Sequence, residues 1–196
     1  MSDTDEIPRP TLPALCRQHD SQLLVIDIQD RLLGAMAQAD RLRVLKASSA
    51  LISAARLLGV PLLATEQYPR GLGATDSSLR SDLVSHGRVF EKTSFSCCGA
   101  PGLGGQLDRE THSQVVIAGI EAHVCVLQTA LDLHVRGFEV FVVEDATCSR
   151  NPAHHANAMQ RLRQAGVTVT NMESVLFEWM RDASHPHFKV ISQLVK

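Results

Sequence analysis

The chain has 196 residues, 44% of them hydrophobic, enough to bury one substantial core and no reason to divide it into two domains. The 19 basic and 21 acidic residues leave a net charge of -2 without a lysine or arginine run, which excludes a basic field for nucleic acid or for an anionic membrane. A small-molecule partner is the class that remains, and five cysteines, an odd count without a secretory leader, point away from a disulfide framework and toward a reducing cytoplasm.

The opening MSDTDEIPRPTLPALC is acidic and broken by prolines, so residues 1–14 are expected to form a loosely held arm ahead of a domain over residues 15–196. No run approaches the roughly 20 apolar residues of a membrane span. Gln22 to Ile28 (QLLVIDI) is nearly continuous in apolar residues, the pattern of a strand buried on both faces, with one acid inside it. Asp40 to Leu58 has helical period and Gly59 stands where a helix stops, so Val60 to Ala64 reads as the second strand. Thr65 to Thr75 is rich in turn residues and leads into a polar helical segment ending near Gly87.

Arg88 to Glu91 follows as the third strand, with Lys92 directly after it. Loop chemistry fills Thr93 to Gly105, with a short helix expected near Gln106 to Arg109. Val115 to Ile117 starts the fourth strand, and after Ala118 and Gly119 the apolar spacing becomes helical through Val126, Ala130 and Leu133. A fifth strand is expected at Glu139 to Val143, a helix from Ala153 to Ala165 closed by Gly166, and a sixth strand at Val167 to Val169. Thr170 and Glu173 have capping-box spacing for a helix over about Asn171 to Arg181, and Phe188 to Val195 is a last amphipathic piece. Strands alternating with helices predict an α/β fold: a single three-layer α/β/α domain around a parallel sheet.

In an open parallel sheet, ligands bind beyond the carboxyl ends of the strands. Asp27, Lys92 and Cys125 all fall at such ends, supplying a base, a cation and a nucleophile. Taken singly, each has an ordinary reading: a turn cap, a solvated lysine, a packed small hydrophobe. Cys125 also stands at a strand-to-helix junction, where unpaired N–H groups carry about half a positive charge, lower a thiol's pKa and can hold an oxyanion.

The stretches VIDIQD around Asp27, FEKTSFS around Lys92 and GIEAHVCVLQTALDL around Cys125 resemble the isochorismatase-like cysteine hydrolases. The resemblance continues through TEQYPRGLG, VVEDATCSR and AGVTVTNMESVLFE, and its wording is nearest the subgroup of isochorismatase domain-containing proteins. It implies a six-stranded parallel sheet in the order 3-2-1-4-5-6, with strands 1 and 4 adjacent and Lys92 about 10 Å from strand 1 at ~4.8 Å per strand. It implies Cys125 as nucleophile, Asp27 as base and Lys92 as their support, acting on a C–N bond of a small amide, carbamoyl or ureido compound through a thioester. It further implies a cis peptide between Ile120 and Glu121, backbone N–H groups of Glu121 and Cys125 as an oxyanion hole, and assembly into a dimer or tetramer.

Relatives that hydrolyse nicotinamide carry an aspartate and histidines for a metal after the second strand. Here Thr65, Glu66, Gln67 and Tyr68 occupy that place, so neither metal nor cofactor is expected. Tyr68, Phe95, His123 and Gln67 are candidates for the substrate pocket. Cys97 and Cys98 lack CxxC spacing and read as ordinary thiols, His154 and His155 as a solvated turn, and Leu176 and Phe177 as an apolar face for a second subunit. Two other hydrolytic or structural readings stay open: a vinyl-ether hydrolase, although true isochorismatases lack the cysteine, and an idle scaffold that binds a protein. A thiol redox protein using Cys125 is a third.

Overall fold

The apolar run after Gln22 forms the centre of the molecule: Ser21–Ile26 (β1) is buried at all six positions. The protein is described by a computed structural model covering residues 15–196, and the arm expected over residues 1–14 lies outside the described residues. Asp30–Gly34 (α1) and Gln38–Leu58 (α2) follow β1, and Gly59 ends α2 in the left-handed conformation at φ 71°, which glycine adopts without a Cβ clash. Next come Leu62–Gln67 (β2), Pro69–Leu72 (α3), Ser77–His86 (α4) and Arg88–Lys92 (β3). The second half holds Gln114–Ile120 (β4), Leu127–Val135 (α5), Glu139–Cys148 (β5), Pro152–Gln164 (α6), Thr168–Thr170 (β6), Met172–Met180 (α7) and Phe188–Ile191 (α8).

The six strands form one parallel sheet in the order β3-β2-β1-β4-β5-β6. Alternation along β1 sends Leu23 and Val25 to the face packed by α2 and α7, and Leu24 and Ile26 to the face packed by α5 and α6. Both faces are therefore apolar, which is why the strands read as continuous rather than alternating runs. Gly119 is required where β4 passes β1: at φ 137°, a Cβ there would lie 2.1 Å from the Ile26 carbonyl oxygen.

Several boundaries differ from the expectation, and where a strand runs longer it does so because a neighbouring strand completes its ladder. β2 runs on through Thr65, Glu66 and Gln67, since β1 and β3 on either side complete their ladder bonds, as Thr65 opposite Ile26 and Gln67 opposite Lys92 show. Lys92 is accordingly the last residue of β3, and β5 reaches Cys148 past a register shift against β4. The short helix expected near Gln106–Arg109 is a 3-10 turn at Leu103–Gly105, and Gln106–Arg109 itself is not helical. Asn171, not Thr170, caps α7, its side chain accepting the Ser174 N–H at 2.8 Å. Leu176 is fully buried in the core and so offers no subunit face, while Phe177 packs edge-on to Phe188. Trp179 is core as well, donating from Nε1 to Ser21 Oγ at 3.0 Å.

Candidate active site

Strict alternation would turn Asp27 toward the side of Leu23 and Val25. Its backbone instead takes the left-handed region at φ 50°, a conformation costing roughly 1–3 kcal/mol outside glycine, and the side chain joins Thr65, Lys92 and Cys125. The carboxylate is fully buried. Oδ2 accepts from Lys92 Nζ at 2.6 Å and Oδ1 accepts from the Thr65 hydroxyl at 2.7 Å. Lys92 spans the end of β2 to reach it, and Nζ also meets Gln67 Oε1 at 2.7 Å and the carbonyls of Phe95 and Ser94 at 3.1 and 3.2 Å. A buried ammonium ringed by oxygens in this way is held at one point.

Cys125 lies on the next strand connection, 6% exposed. The peptide between Ile120 and Glu121 is cis, and the residues after it, Ala122–Val126, make a single π-helical turn before α5 begins. Burial pushes the Cys125 thiol up to about 12, with the Asp27 charge and its hydrogen bond adding to the rise and Lys92 opposing it. The direction is opposite to the lowering expected at a helix start, because desolvation and a neighbouring carboxylate both disfavour the thiolate. The buried thiol shares a hydrogen bond with the Asp27 carboxylate, which favours its neutral form.

The carboxyl ends of β1, β3 and β4 therefore bring Asp27, Lys92 and Cys125 into one buried cluster. A family model described as the isochorismatase domain matches residues 21–174. The chain belongs to the isochorismatase family. It is 39% identical to isochorismatase domain-containing protein 2A of Mus musculus over 177 residues, covering 90% of this chain and 82% of that protein. A secreted isochorismatase effector of Phytophthora sojae, Isc1, is 38% identical over 182 residues, 91% of this chain and 85% of the effector. The structure of the MAR1 ribonuclease of Caenorhabditis elegans is similar with a TM-score of 0.87 at 37% identity, covering 93% of this chain and 92% of that one. The fold is that of isochorismatase-family hydrolases, and among the described residues no helix is long and apolar enough to cross a membrane.

Within this family fold, the four pocket candidates have different places. Tyr68 and Lys92 line a cavity of about 370 Å³ beyond the ends of β2 and β3. Phe95 is 55% exposed on the loop that covers Lys92. Gln67 serves Lys92 with Oε1 and the Thr93 carbonyl with Nε2, so its amide is an anchor, not a pocket wall. His123 has Nδ1 on Ser149 Oγ at 2.9 Å and its ring 4.9 Å from that of His154. His155 is not a solvated turn residue; it is half-buried with Nε2 3.0 Å from Thr147 Oγ1.

Three partners went unrecognised in the sequence. Thr65 opens a stretch that reads as turn in the sequence, yet it shares a face with Leu63 because β2 runs through it. Cys97 is fully buried beside the cluster, its sulfur 3.5 Å from Thr65 Oγ1, and burial and the Asp27 charge push its thiol up to about 11. Thr129 ties the two thiol-bearing segments together, accepting the Cys97 N–H at 2.9 Å and donating to the Cys125 carbonyl at 2.6 Å. No local pattern marks Cys97 or Thr129, because their roles arise from loop 93–105 folding across α5. Cys148 lies in the core on the α2 face, where burial pushes its thiol up to about 12.

Proposed function

We propose that this protein is a cysteine-dependent hydrolase that cleaves a C–N bond of a small amide, carbamoyl or ureido compound. The observation that carries the reading is the Lys92–Asp27 pair, 2.6 Å apart with neither side chain exposed, next to the Cys125 thiol. Buried ion pairs stabilise folds poorly compared with well-packed apolar residues, so placing one against a thiol at the ligand-binding edge of a parallel sheet favours a chemical role.

Asp27 takes the Cys125 proton as the sulfur attacks the carbonyl carbon, which matches a thiol whose resting state is protonated. The carbonyl π pair moves to oxygen, facing the backbone N–H groups of Glu121 and Cys125. When the C–N bond breaks, Asp27 gives that proton to the departing amine or ammonia and a thioester remains. Asp27 then takes a proton from water, the hydroxide oxygen adds to the thioester carbon, and the carbon–sulfur bond breaks. The acid is released and the sulfur recovers its proton. Lys92 stays charged throughout, opposing the negative charge that passes between sulfur and carboxylate. All five cysteines are free thiols, which suits a reducing compartment.

A panel of small amides, carbamoyl and ureido compounds assayed for ammonia or amine release, with Cys125→Ala as the blank, tests the reading. Release by the wild type that the blank lacks supports it. Mass spectrometry after a small electrophile separates the rivals: an idle scaffold gives no preferential adduct on Cys125, and a redox protein gives a reversible Cys125 disulfide instead.

A further inference from the structure

Glu121 follows the last residue of β4 and is 7% exposed. Its carbonyl accepts the N–H groups of Val124 at 3.1 Å and Val126 at 3.3 Å, the two residues that flank Cys125. Its side chain points to the segment just after β5: Oε1 meets Arg150 Nε at 2.6 Å. Oε2 has no hydrogen-bond partner among the described residues and lies 3.5 Å from His123 Nδ1, which is bonded to Ser149 Oγ at 2.9 Å. Two side-chain ties, Glu121 to Arg150 and His123 to Ser149, thus run from the turn bearing Cys125 to consecutive residues beyond β5.

From this geometry we infer that Arg150, with Glu121 and His123, is a positioning bracket that fixes the turn carrying Cys125. The physical reason is charge. A carboxylate this far out of water demands a cation, and Arg150, itself 63% exposed at the side chain, is the cation within bonding distance. Without it, Glu121 rotates toward water or takes up a proton, and either response moves the carbonyl that holds the amides of Val124 and Val126. His154 and Arg150 are the other charged or titratable groups that act on His123 besides Glu121, and its ring is displaced from imidazolium by burial first and by those two neighbours as well. Arg150 therefore supplies the charge for Glu121, and the histidine supplies the second tie. The effect on reactivity rests on the nucleophile role proposed for Cys125; the effect on the turn does not.

Two measurements on the full chain test it. Iodoacetamide labelling of Cys125, followed by mass spectrometry across a range of pH, is expected to slow by at least about tenfold in Arg150→Ala, since small displacements of a reacting group have effects of that size or more. Arg150→Lys should recover most of the rate, and Glu121→Gln placed in the Arg150→Ala background should recover part of it, because a neutral amide leaves no unpaired charge. A merely structural loss would lower the melting temperature in all variants without this order of recovery. Hydrogen exchange of the Val124 and Val126 amides should accelerate in Arg150→Ala whether or not Cys125 is a nucleophile. If wild-type Cys125 is not labelled in preference to Cys97 and Cys148, thiols buried as it is, the hydrolase reading fails and exchange alone decides the bracket. Unchanged exchange in Arg150→Ala, or unchanged labelling where wild-type Cys125 is reactive, overturns the inference.

Discussion

Lys92 Nζ lies 2.6 Å from Asp27 Oδ2, and solvent reaches neither side chain. The two partners are unequally supported: Lys92 keeps Gln67 Oε1 and two carbonyls if Asp27 is lost, whereas Asp27 keeps the Thr65 hydroxyl if Lys92 is lost. Lys92→Met should therefore cost more stability than Asp27→Asn, toward the upper part of the roughly 3–5 kcal/mol typical of stranding a buried charge. The double substitution should recover stability and not turnover. Urea unfolding of the three variants checks the order; a Lys92→Met protein as stable as wild type would show that the pair is not an isolated buried unit.

Asp27 and Lys92 act on the Cys125 thiol with opposite signs. Removing the carboxylate in Asp27→Asn should let the thiol titrate lower than in the wild type, while removing the ammonium in Lys92→Met should push it higher still. If Asp27 is the base, the first variant gains thiolate and still loses turnover. Ultraviolet titration of the thiolate beside an activity assay distinguishes this from a purely electrostatic role, in which turnover would rise with thiolate.

The buried thiols also set an alkaline limit. Cys97, Cys125 and Cys148 are pushed from 9.0 to about 11, 12 and 12 in the fold. Above pH 9 the unfolded chain releases these protons while the folded chain keeps them, so stability is full below about 9 and falls as pH rises toward 11 and 12. Melting temperature measured from neutral pH upward should drop in that window. Cys148→Ala should flatten part of the slope, and a slope that is unchanged in the variant would exclude the thiol as its source.

Thr65 holds the Asp27 oxygen that Lys92 does not. Thr65→Val keeps the shape and removes the hydroxyl, leaving a buried acceptor short of a partner at roughly 1–3 kcal/mol. Turnover should fall by roughly five- to a hundredfold if that energy is lost from the transition state, since 1.4 kcal/mol corresponds to tenfold. Thr65→Ser should retain most of it. Equal activity in the valine variant would mean that Lys92 alone orients the carboxylate.

The alternation of apolar runs with helical periods was enough to read the class of fold, and the resemblance carried by the flanks of Asp27, Lys92 and Cys125 was enough to order the strands. Boundaries were less legible. β2 looked finished at Ala64 because Thr65, Glu66 and Gln67 are turn formers in isolation, and only the ladders to β1 and β3 keep them extended. The upward push on the Cys125 thiol has no mark in the local sequence, because desolvation depends on how much protein surrounds the sulfur.

By itself, then, the amino-acid order determined which residues line up at the carboxyl edge of a parallel sheet, since hydrophobic period and strand sequence are local properties. Only the tertiary structure decided that Asp27 turns to the α5 side through a left-handed backbone, that Thr65 and Cys97 join it, and that Arg150 reaches back to Glu121. Those contacts join residues from 29 to 38 positions apart in sequence, and no local pattern encodes a pairing that forms only when separate strands and loops are packed together.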